Sequence, residues 1–428
     1  MAIKITGEAI VPASGEGFCV DVYEQYTHAH GLRRARHIMK VAESDFWNGH
    51  KIQYSEDNGR TWGPEEDAYG EDFTVAPDGS WELLNHDYFL DVYNPAHRHF
   101  VGIRLERIFL GGRDKGYATY WEGRPGYKDH CYVVVRREVG GQPDIRLIRY
   151  EDGPELDPVN PLNEAYLSKN FADFSKLCVA KNGDILFPIG VPASVCCRML
   201  GLDVREVFPS SPDIFHGVIV CRGVWNGAFY DLTFSRPVVI SDLASSRGLL
   251  EPTIAELENG RIVVICRGSN VQSKEWRTRI EPGTPGFKWW FWSDDGGKIF
   301  TQPAPWHFDD GEVIYSSATP SYFIRSGRNG KLYWIGNITS YRIVGNYPPW
   351  PLQIVEVDEK HGTAKKTSLA VIDTKRDWEH DEVQLSNFYL LDDRESGNLE
   401  LWLMKYGQYS YADAYRADTW KYTIHLEE

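Results

Sequence analysis

Short runs of apolar and β-branched residues recur along the whole chain, and turn residues separate them. The clearest runs are Cys131–Arg136, Gly217–Cys221, Arg261–Arg267, Lys331–Ile335, Leu352–Val357 and Leu399–Met404. Asn-Gly or Ser-Gly pairs lie beside several of them, which is typical of antiparallel strands joined by tight turns. Helical periodicity is scarce, and only residues 164–174 predict a short helix. Because no Ser/Gly-rich linker divides the chain, the pattern predicts one all-β domain over residues 1–428.

One turn motif occurs twice. Ser55–Trp62 and Ser293–Phe300 both fit S-x-D-x-G-x-[TI]-[WF]. In such a turn the Ser and Asp side chains bind turn amides, Gly supplies a positive φ, and the final aromatic residue fills the core. Arg149–Gly153 and Asp358–Gly362 are candidate degenerate copies. A repeat of about 60–70 residues predicts a β-propeller with six blades, in which Trp420–Leu426 pairs with N-terminal strands.

The turn at Ser55–Trp62 resembles the Asp-box, or BNR repeat, that recurs in sialidases and other propellers. This resemblance implies a six-bladed β-propeller of sialidase type. It implies function only by analogy, because Asp-boxes are structural and lie away from the active face.

Composition narrows the range of partners. The formal net charge is −15, which disfavours nucleic acid and anionic membranes as partners. Aromatic residues make up 14% of the chain, which fits a β-rich core as well as a surface on which sugars stack. No apolar run is long enough for a transmembrane helix, and the N-terminus does not resemble a secretory signal. We therefore expect a cytoplasmic protein whose seven cysteines are reduced, with Cys221 and Cys266 as buried thiols.

A second resemblance lies closer to chemistry. In the segment Glu251–Arg267 a Glu-Leu-Glu-Asn-Gly-Arg stretch follows Glu251, and Arg267 stands sixteen residues after Glu251. Bacterial sialidases have a similar stretch, in which the Glu serves a tyrosine nucleophile as base and the Arg belongs to a triad that binds the substrate carboxylate. A hairpin centred on Asn259-Gly260 would bring Arg267 beside Glu251. The alternative is an ion pair across a hairpin with no catalytic role.

The same resemblance implies other site residues. Arg36 is the nearest match to the first triad arginine, with Arg33 and Arg34 as competitors, and Arg342 is the candidate for the third. Asp45 falls in the interval expected for the acid/base aspartate. Leu385 stands where a sialidase has its nucleophilic tyrosine, and leucine cannot attack an anomeric carbon. Sialosides are therefore expected to be poor substrates.

Histidines and loop tryptophans complete the set of candidates. His37 and His86 are plausible groups of an active face, since a neutral imidazole can act as a base near neutral pH. Trp47 and Trp350 lie in loop-like contexts where a sugar ring could stack. The pair His28-x-His30 lacks companions at ligand spacing, so we expect no metal and no cofactor.

Together these features predict a glycoside hydrolase that acts on an acidic glycan. Arg267, Arg36 and Arg342 would hold a carboxylate, Glu251 would be the base toward water or an unidentified tyrosine, and Asp45 the acid. If water attacks directly, the reaction inverts. Two alternatives stay open: a propeller polysaccharide lyase that uses His37 or His86 on a uronate, and a non-catalytic propeller that binds glycans.

Overall fold

A computed structural model describes most of the chain. The described residues are 3–42, 49–68, 71–86, 91–138, 141–157, 159–173, 176–410 and 412–427, with only the backbone given at residues 71–73 and at His86. No helix among them is long and apolar enough to cross a membrane.

Strands dominate the described residues. In the first half of the chain they are β1 (Lys4–Val11), β2 (Cys19–Tyr26), β3 (Arg34–Val41), β4 (Gly49–Ser55), β5 (Glu66–Asp67), β6 (Glu71–Val75), β7 (Trp81–His86), β8 (Val92–Asn94), β9 (His99–Leu110), β10 (Tyr127–Arg136), β11 (Asp144–Leu147), β12 (Cys178–Val179), β13 (Ile185–Pro192) and β14 (His216–Trp225). The remaining strands are β15 (Tyr230–Phe234), β16 (Leu250–Glu256), β17 (Ile262–Arg267), β18 (Lys288–Ser293), β19 (Ala304–Pro305), β20 (Tyr322–Arg325), β21 (Leu332–Asn337), β22 (Leu352–Asp358), β23 (Thr363–Ala364), β24 (Ala370–Asp373), β25 (Phe388–Asp392), β26 (Leu399–Met404) and β27 (Thr419–His425). Every apolar run identified in the sequence lies on or overlaps one of these strands.

Helices are few and short in the part of the chain that the structure describes. They are α1 (Arg113–Trp121), α2 (Glu164–Leu167), α3 (Ala193–Leu200), α4 (Val204–Val207) and a 3-10 turn at Lys366–Ser368. Only α2 falls where the sequence predicted a helix. Helix α1 packs tightly beside its neighbouring strands, since a Cβ on Gly126 would lie 1.8 Å from the carbonyl oxygen of Gly116.

The described strands form six antiparallel sheets, and the chain divides into two compact units. The first unit comprises residues 1–68, 285–288 and 305–428, and the second comprises residues 69–284 and 289–304. The strand orders β2-β3-β4-β5, β20-β21-β22-β23 and β1-β27-β26-β25 belong to the first unit, with β24 added beside β22. The orders β11-β10-β9-β7-β6, β12-β13-β14-β15 and β16-β17-β18-β19 follow along residues 71–305, with β8 added beside β9. One domain over residues 1–428 stays a prediction.

The two repeated turns have the same hydrogen bonds at the same place in their sheets. Each follows the third strand of a sheet, β4 or β18. Ser55 Oγ accepts from the amide of Gly59 at 2.8 Å, and Ser293 Oγ accepts from that of Gly297 at 3.0 Å. Both glycines have positive φ, 83° and 89°, which explains why the motif requires Gly there. The turn at Asp358–Gly362 lies between β22 and β23, the corresponding place in a third sheet.

The core of each unit lies between neighbouring sheets. In the second unit one cluster of buried apolar side chains spans β9, β10, β13 and β14, and includes Phe187 and Cys221. In the first unit a cluster spans β21, β22, β26 and β27, and includes Leu385 and Leu401. The N-terminal strand β1 pairs with β27, Lys4 opposite His425, which confirms the pairing predicted for Trp420–Leu426. Cys221 and Cys266 are buried free thiols, as predicted.

Candidate functional site

The hairpin β16–β17 brings Glu251 and Arg267 together. Its turn contains Asn259-Gly260, and Leu250 pairs with Arg267 before the register shifts between Leu250 and Thr253. The irregularity falls at Glu251 and Pro252, and local breaks of this kind can change the direction in which a side chain points. The Arg267 Nη1 atom donates to Glu251 Oε1 at 2.6 Å. The juxtaposition predicted from the hairpin is confirmed; the catalytic role stays a prediction.

Glu251 has two features that a purely structural ion pair does not need. Its backbone has φ of 42°, in the left-handed region that a non-glycine residue adopts at an energetic cost. Its Oε2 atom is buried and has no hydrogen-bond partner among the described residues, and the same holds for Arg267 Nε. Leaving a buried polar atom unpaired costs about 1–3 kcal/mol, so such atoms usually meet a ligand or water.

A second arginine, Arg247, lies close enough to interact with Glu251. Its Nη2 atom donates to the hydroxyl of Tyr120 at 3.0 Å, and its guanidinium lies 5.5 Å and 5.3 Å from the ring centres of Phe215 and Trp276. Burial works to lower the pKa of Arg247, but Tyr120 and Glu251 hold it above its usual value. Its Nε is also buried without a partner among the described residues. Arg247 is therefore a charged group with donor capacity left for an anion.

A third arginine, Arg107, is linked to this group of residues through aromatic rings, and an aspartate neutralises its charge. Arg107 on β9 binds both carboxylate oxygens of Asp129 on β10, each at 2.7 Å. Its guanidinium lies 4.2 Å from the ring centre of Tyr127, which in turn stacks on Tyr120 at 5.3 Å. Burial raises the pKa of Tyr127 well above its usual value, so this hydroxyl stays protonated at neutral pH. The Arg107–Asp129 pair thus supports the aromatic rings that position Arg247.

His216, at the start of β14, is a neutral imidazole in the same charged environment. Burial lowers its pKa to about 4, against the opposing effect of Asp129, and Arg247 and Arg107 lower it further. Its Nδ1 atom lies 4.0 Å from the Asp173 carboxylate. At neutral pH the imidazole is therefore available to accept a proton.

Two predicted residues of the first unit are engaged with neighbours on their own sheet. Arg36 on β3 binds Glu24 Oε1 through Nε and Nη2, at 3.0 Å and 2.8 Å, and lies 4.0 Å from the ring of Trp62. His37 is 2% exposed, stacks on Tyr23 at 4.3 Å, and contacts His50 through Nδ1 at 2.9 Å. Burial lowers the pKa of His37 well below its usual value.

The two competitors of Arg36 also have acidic partners. Arg33 binds Glu56 at 2.7 Å, and the fully buried Arg34 binds Glu24 at 3.0 Å and Glu400 at 2.5 Å.

The remaining predicted residues lie in loops or outside the described residues. Arg342 is exposed after β21, and its guanidinium lies 5.9 Å from the ring centre of Tyr315. Trp350 donates from Nε1 to the carbonyl of Asp381 at 3.1 Å. Asp45 and Trp47 lie outside the described residues, as does the side chain of His86, whose backbone ends β7. Leu385 is fully buried in the core of the first unit.

Arg247, Tyr120 and His216 were not predicted from the sequence. Arg247 had a detectable signal, because Ser245-Ser246-Arg247-Gly248 places a charge among small residues directly before the Glu251 strand. Tyr120 lies on α1. Because this helix is only weakly amphipathic, the pattern of apolar residues does not predict it. His216 opens a strand beside small and apolar residues, so nothing local distinguishes it. Among the described residues, no group of three or more His, Cys, Asp or Glu is arranged to hold a metal ion.

Comparison with known proteins gives structural neighbours only. No protein-family model and no curated protein matches the sequence. A protein of unknown function from Dyadobacter fermentans has a similar structure, with a TM-score of 0.56 and 14% identity, over 98% of this chain and 99% of that one. The Hadza microbial sialidase Hz136 has a TM-score of 0.55 and 10% identity, over 98% of this chain and 68% of that one. A sialidase from Trypanosoma rangeli has a TM-score of 0.48 and 11% identity, over 99% of this chain and 60% of that one.

At such identities the likeness concerns the fold. Six antiparallel sheets, two turns with matching serine hydrogen bonds after third strands, and a sialidase neighbour aligned over 98% of this chain all indicate the same fold. The chain is therefore a six-bladed β-propeller of the sialidase type.

Proposed function

We propose that the protein hydrolyses a glycosidic bond in a carboxylate-bearing glycan, at a site built around Glu251. The observation that supports this most is the state of the Glu251 side chain. One carboxylate oxygen is held by Arg267, and the other is buried without a partner among the described residues, on a backbone with φ of 42°. A strained, incompletely paired carboxylate fits a group whose second oxygen receives a proton during the reaction.

The charges around Glu251 favour an anionic substrate. Arg267 and Arg247 each have a buried Nε without a partner among the described residues. A guanidinium binds a carboxylate through paired, charge-assisted hydrogen bonds, so two such groups would hold a sugar acid firmly. The sialidase neighbour acts, by its name, on a sugar acid.

In the proposed reaction Glu251 takes a proton from the attacking water or from a tyrosine hydroxyl. The acid role of Asp45 and the substrate contacts of Arg36 and Arg342 stay predictions from the sequence. Direct attack by water would invert the anomeric centre, which requires two carboxyl groups about 6.5–9.5 Å apart. Because Leu385 is a buried core residue, no tyrosine nucleophile is proposed at its position.

A substitution series tests this function. The probes are uronate- and sialate-containing oligosaccharides, together with carboxyl-reduced analogues of each. Glu251→Gln keeps the volume but cannot act as a base, so kcat should fall by about 10²–10⁴. Arg267→Ala should weaken kcat/KM on the acidic substrate by about 10- to 100-fold, and change it little on the reduced analogue. Sialosides should be poor substrates in every case.

Matched controls come from exposed residues of the same unit. Glu258 is exposed in the turn of the same hairpin, and Arg236 is an exposed arginine. Glu258→Gln and Arg236→Ala should both leave turnover unchanged. Thermal unfolding is measured on the same preparations. If Glu251→Gln and Arg267→Ala lower only the melting temperature while turnover per folded molecule is unchanged, the pair is an ion pair without a catalytic role.

A second candidate, a polysaccharide lyase, is favoured by one observation. His216 is neutral at neutral pH and is influenced by the charges of Arg247 and Arg107. In this reaction His216 would remove the proton α to a uronate carboxylate, an arginine would neutralise that carboxylate, and the glycosidic oxygen would leave as a new C=C bond forms. The product would absorb ultraviolet light, whereas a hydrolysis product would not. His216→Asn would then abolish turnover, and Glu251→Gln would have the smaller effect.

A further inference from the structure

A pocket separate from the Glu251 site lies in the second unit, at the turns that follow β8, β10 and β14. Its volume is about 540 Å³, within the usual range for small-molecule sites. The residues that matter for its chemistry are His97, Arg98, His99, Arg137, Asp144 and Trp225. It is not part of the Glu251 site: His99 begins β9 and Arg107 lies eight residues further along the same strand, a distance of roughly 26 Å at about 3.3 Å per residue.

Trp225, the aromatic side chain of this pocket, is held in place by contacts with buried residues. Trp225 packs against His99, with ring centres 4.4 Å apart. The His99 Nε2 atom lies 2.7 Å from the hydroxyl of Tyr230, which also receives a hydrogen bond from Asn94 at 2.8 Å. The same Asn94 amide donates to the carbonyl of Gly183 at 2.8 Å. This chain of contacts holds the indole in one orientation, which lowers the entropic cost of binding a ligand against it.

The polar groups of the pocket balance in charge. Arg98 and Arg137 bring two positive charges to its lining, and Glu138 and Asp144 bring two negative charges. Arg136 is paired with Asp91 at 2.7 Å. Burial lowers the pKa of His99 to about 4, so this imidazole adds no charge at neutral pH. The pocket therefore offers donors, acceptors and a flat ring, but no net charge that would select an ion.

We propose that this pocket binds a neutral saccharide, independently of the Glu251 site. A pyranose ring presents an apolar face that stacks on an indole, and its hydroxyl groups both donate and accept hydrogen bonds. Charged lining groups of both signs satisfy such hydroxyls without favouring an acidic sugar over a neutral one. The pocket would serve as an accessory site that holds a neutral part of a glycan.

Isothermal titration of the full chain tests the proposal. The probes are maltotetraose, cellotetraose and xylotetraose, with tetragalacturonate as the acidic comparison. We expect at least one neutral tetrasaccharide to bind and tetragalacturonate not to compete for the site. Trp225→Ala should weaken the neutral ligand by about tenfold or more, the effect of losing aromatic stacking and its buried area. Trp225→Phe should retain most of the affinity.

Because Trp225 also packs against the core, a second variant avoids removing it. Ala228→Tyr fills the pocket from an exposed lining position, and should abolish binding while the melting temperature is kept. Trp378→Ala, at an exposed tryptophan of the other unit, is the control and should bind normally. The proposal is overturned if no neutral probe binds, if Ala228→Tyr binds as well as wild type, or if only the acidic probe binds there. Glu251→Gln should bind the neutral probe unchanged, so failure of the proposed hydrolase would leave this result intact.

Discussion

At the scale of single residues, Glu251 has two features that each lower the free energy of unfolding and that folding alone does not require. Its φ of 42° is unfavourable for a residue with a Cβ, and one of its carboxylate oxygens is buried without a partner among the described residues. Such costs persist where the surrounding structure enforces them, and functional sites are where they concentrate. The strain can be measured separately from catalysis, because glycine tolerates this backbone and alanine does not.

We predict that Glu251→Gly is more stable than Glu251→Ala, by up to about 1.6 kcal/mol. Both variants lose the carboxylate and leave Arg267 without it, so they differ only in the Cβ. The left-handed backbone costs alanine about 1–2 kcal/mol, while the extra freedom of glycine in the unfolded chain offsets about 0.4–1 kcal/mol of that difference. Denaturant unfolding measures the free energies. The same pair at Glu258, where φ is not positive, should show the opposite order; an alanine variant more stable than glycine at both positions would refute the strain.

At the scale of elements, the repeated turn explains why so much of the fold follows from local sequence. In Ser293–Phe300 the Ser and Asp side chains bind each other and the amides of the following residues, with Asp295 Oδ1 accepting from Lys298 at 3.0 Å and from Ile299 at 3.1 Å. Every partner lies within four residues, so the motif specifies its own geometry. Helix α1 is the opposite case. It is held by packing, as the approach of Gly126 to Gly116 shows, and its sequence lacks an amphipathic pattern.

The bonds within this turn should be coupled in their effect on stability. Ser293→Ala and Asp295→Ala each remove hydrogen bonds of one network, so each should lower the melting temperature by a few degrees, on the order of 1 kcal/mol of stability. The double variant should lose less than the sum, because the second change removes bonds that the first has already weakened. Calorimetry on the four proteins gives the coupling. Strict additivity would mean that the two side chains act separately.

At the scale of the whole molecule, the six-bladed fold was predictable because it needs only short strands, tight turns and a repeat. Of the candidate site, only the Glu251–Arg267 pair was predictable. Both residues lie on one hairpin, whose turn the sequence indicates at Asn259-Gly260. Arg247 and Tyr120 meet across more than a hundred positions, and no local pattern encodes such a contact. Arg36 illustrates a different limit, since its pairing with Glu24 depends on the β2–β3 register and on Glu24 being buried beside it.

Removal of the N-terminal strand should destabilise the first unit. Strand β1 pairs along most of β27, and Ile3 and Ile5 pack on the cluster that contains Leu401. Deleting residues 1–12 would leave β27 as an unpaired edge, which favours association with other chains. We expect a lower melting temperature and higher oligomers in size-exclusion chromatography. Deleting residues 1–2 keeps Ile3 and all of β1 and is the control. A monomer of unchanged stability after the longer deletion would contradict the structural role of this strand.

The pairing of β1 with β27 also constrains how the protein is made. The side chains of Thr6 on β1 and His425 on β27 lie 3.4 Å apart, from Oγ1 to Nε2, although the two residues are 419 positions apart in the chain. On the ribosome β1 emerges long before its partner β27 has been synthesised. The second unit is encoded by residues 69–304 with only a short interruption, so its three sheets are complete while the first unit still lacks its last strands. Since domains tend to fold as units in the order of synthesis, the second unit would fold first, and β1 would need protection until β27 has been synthesised.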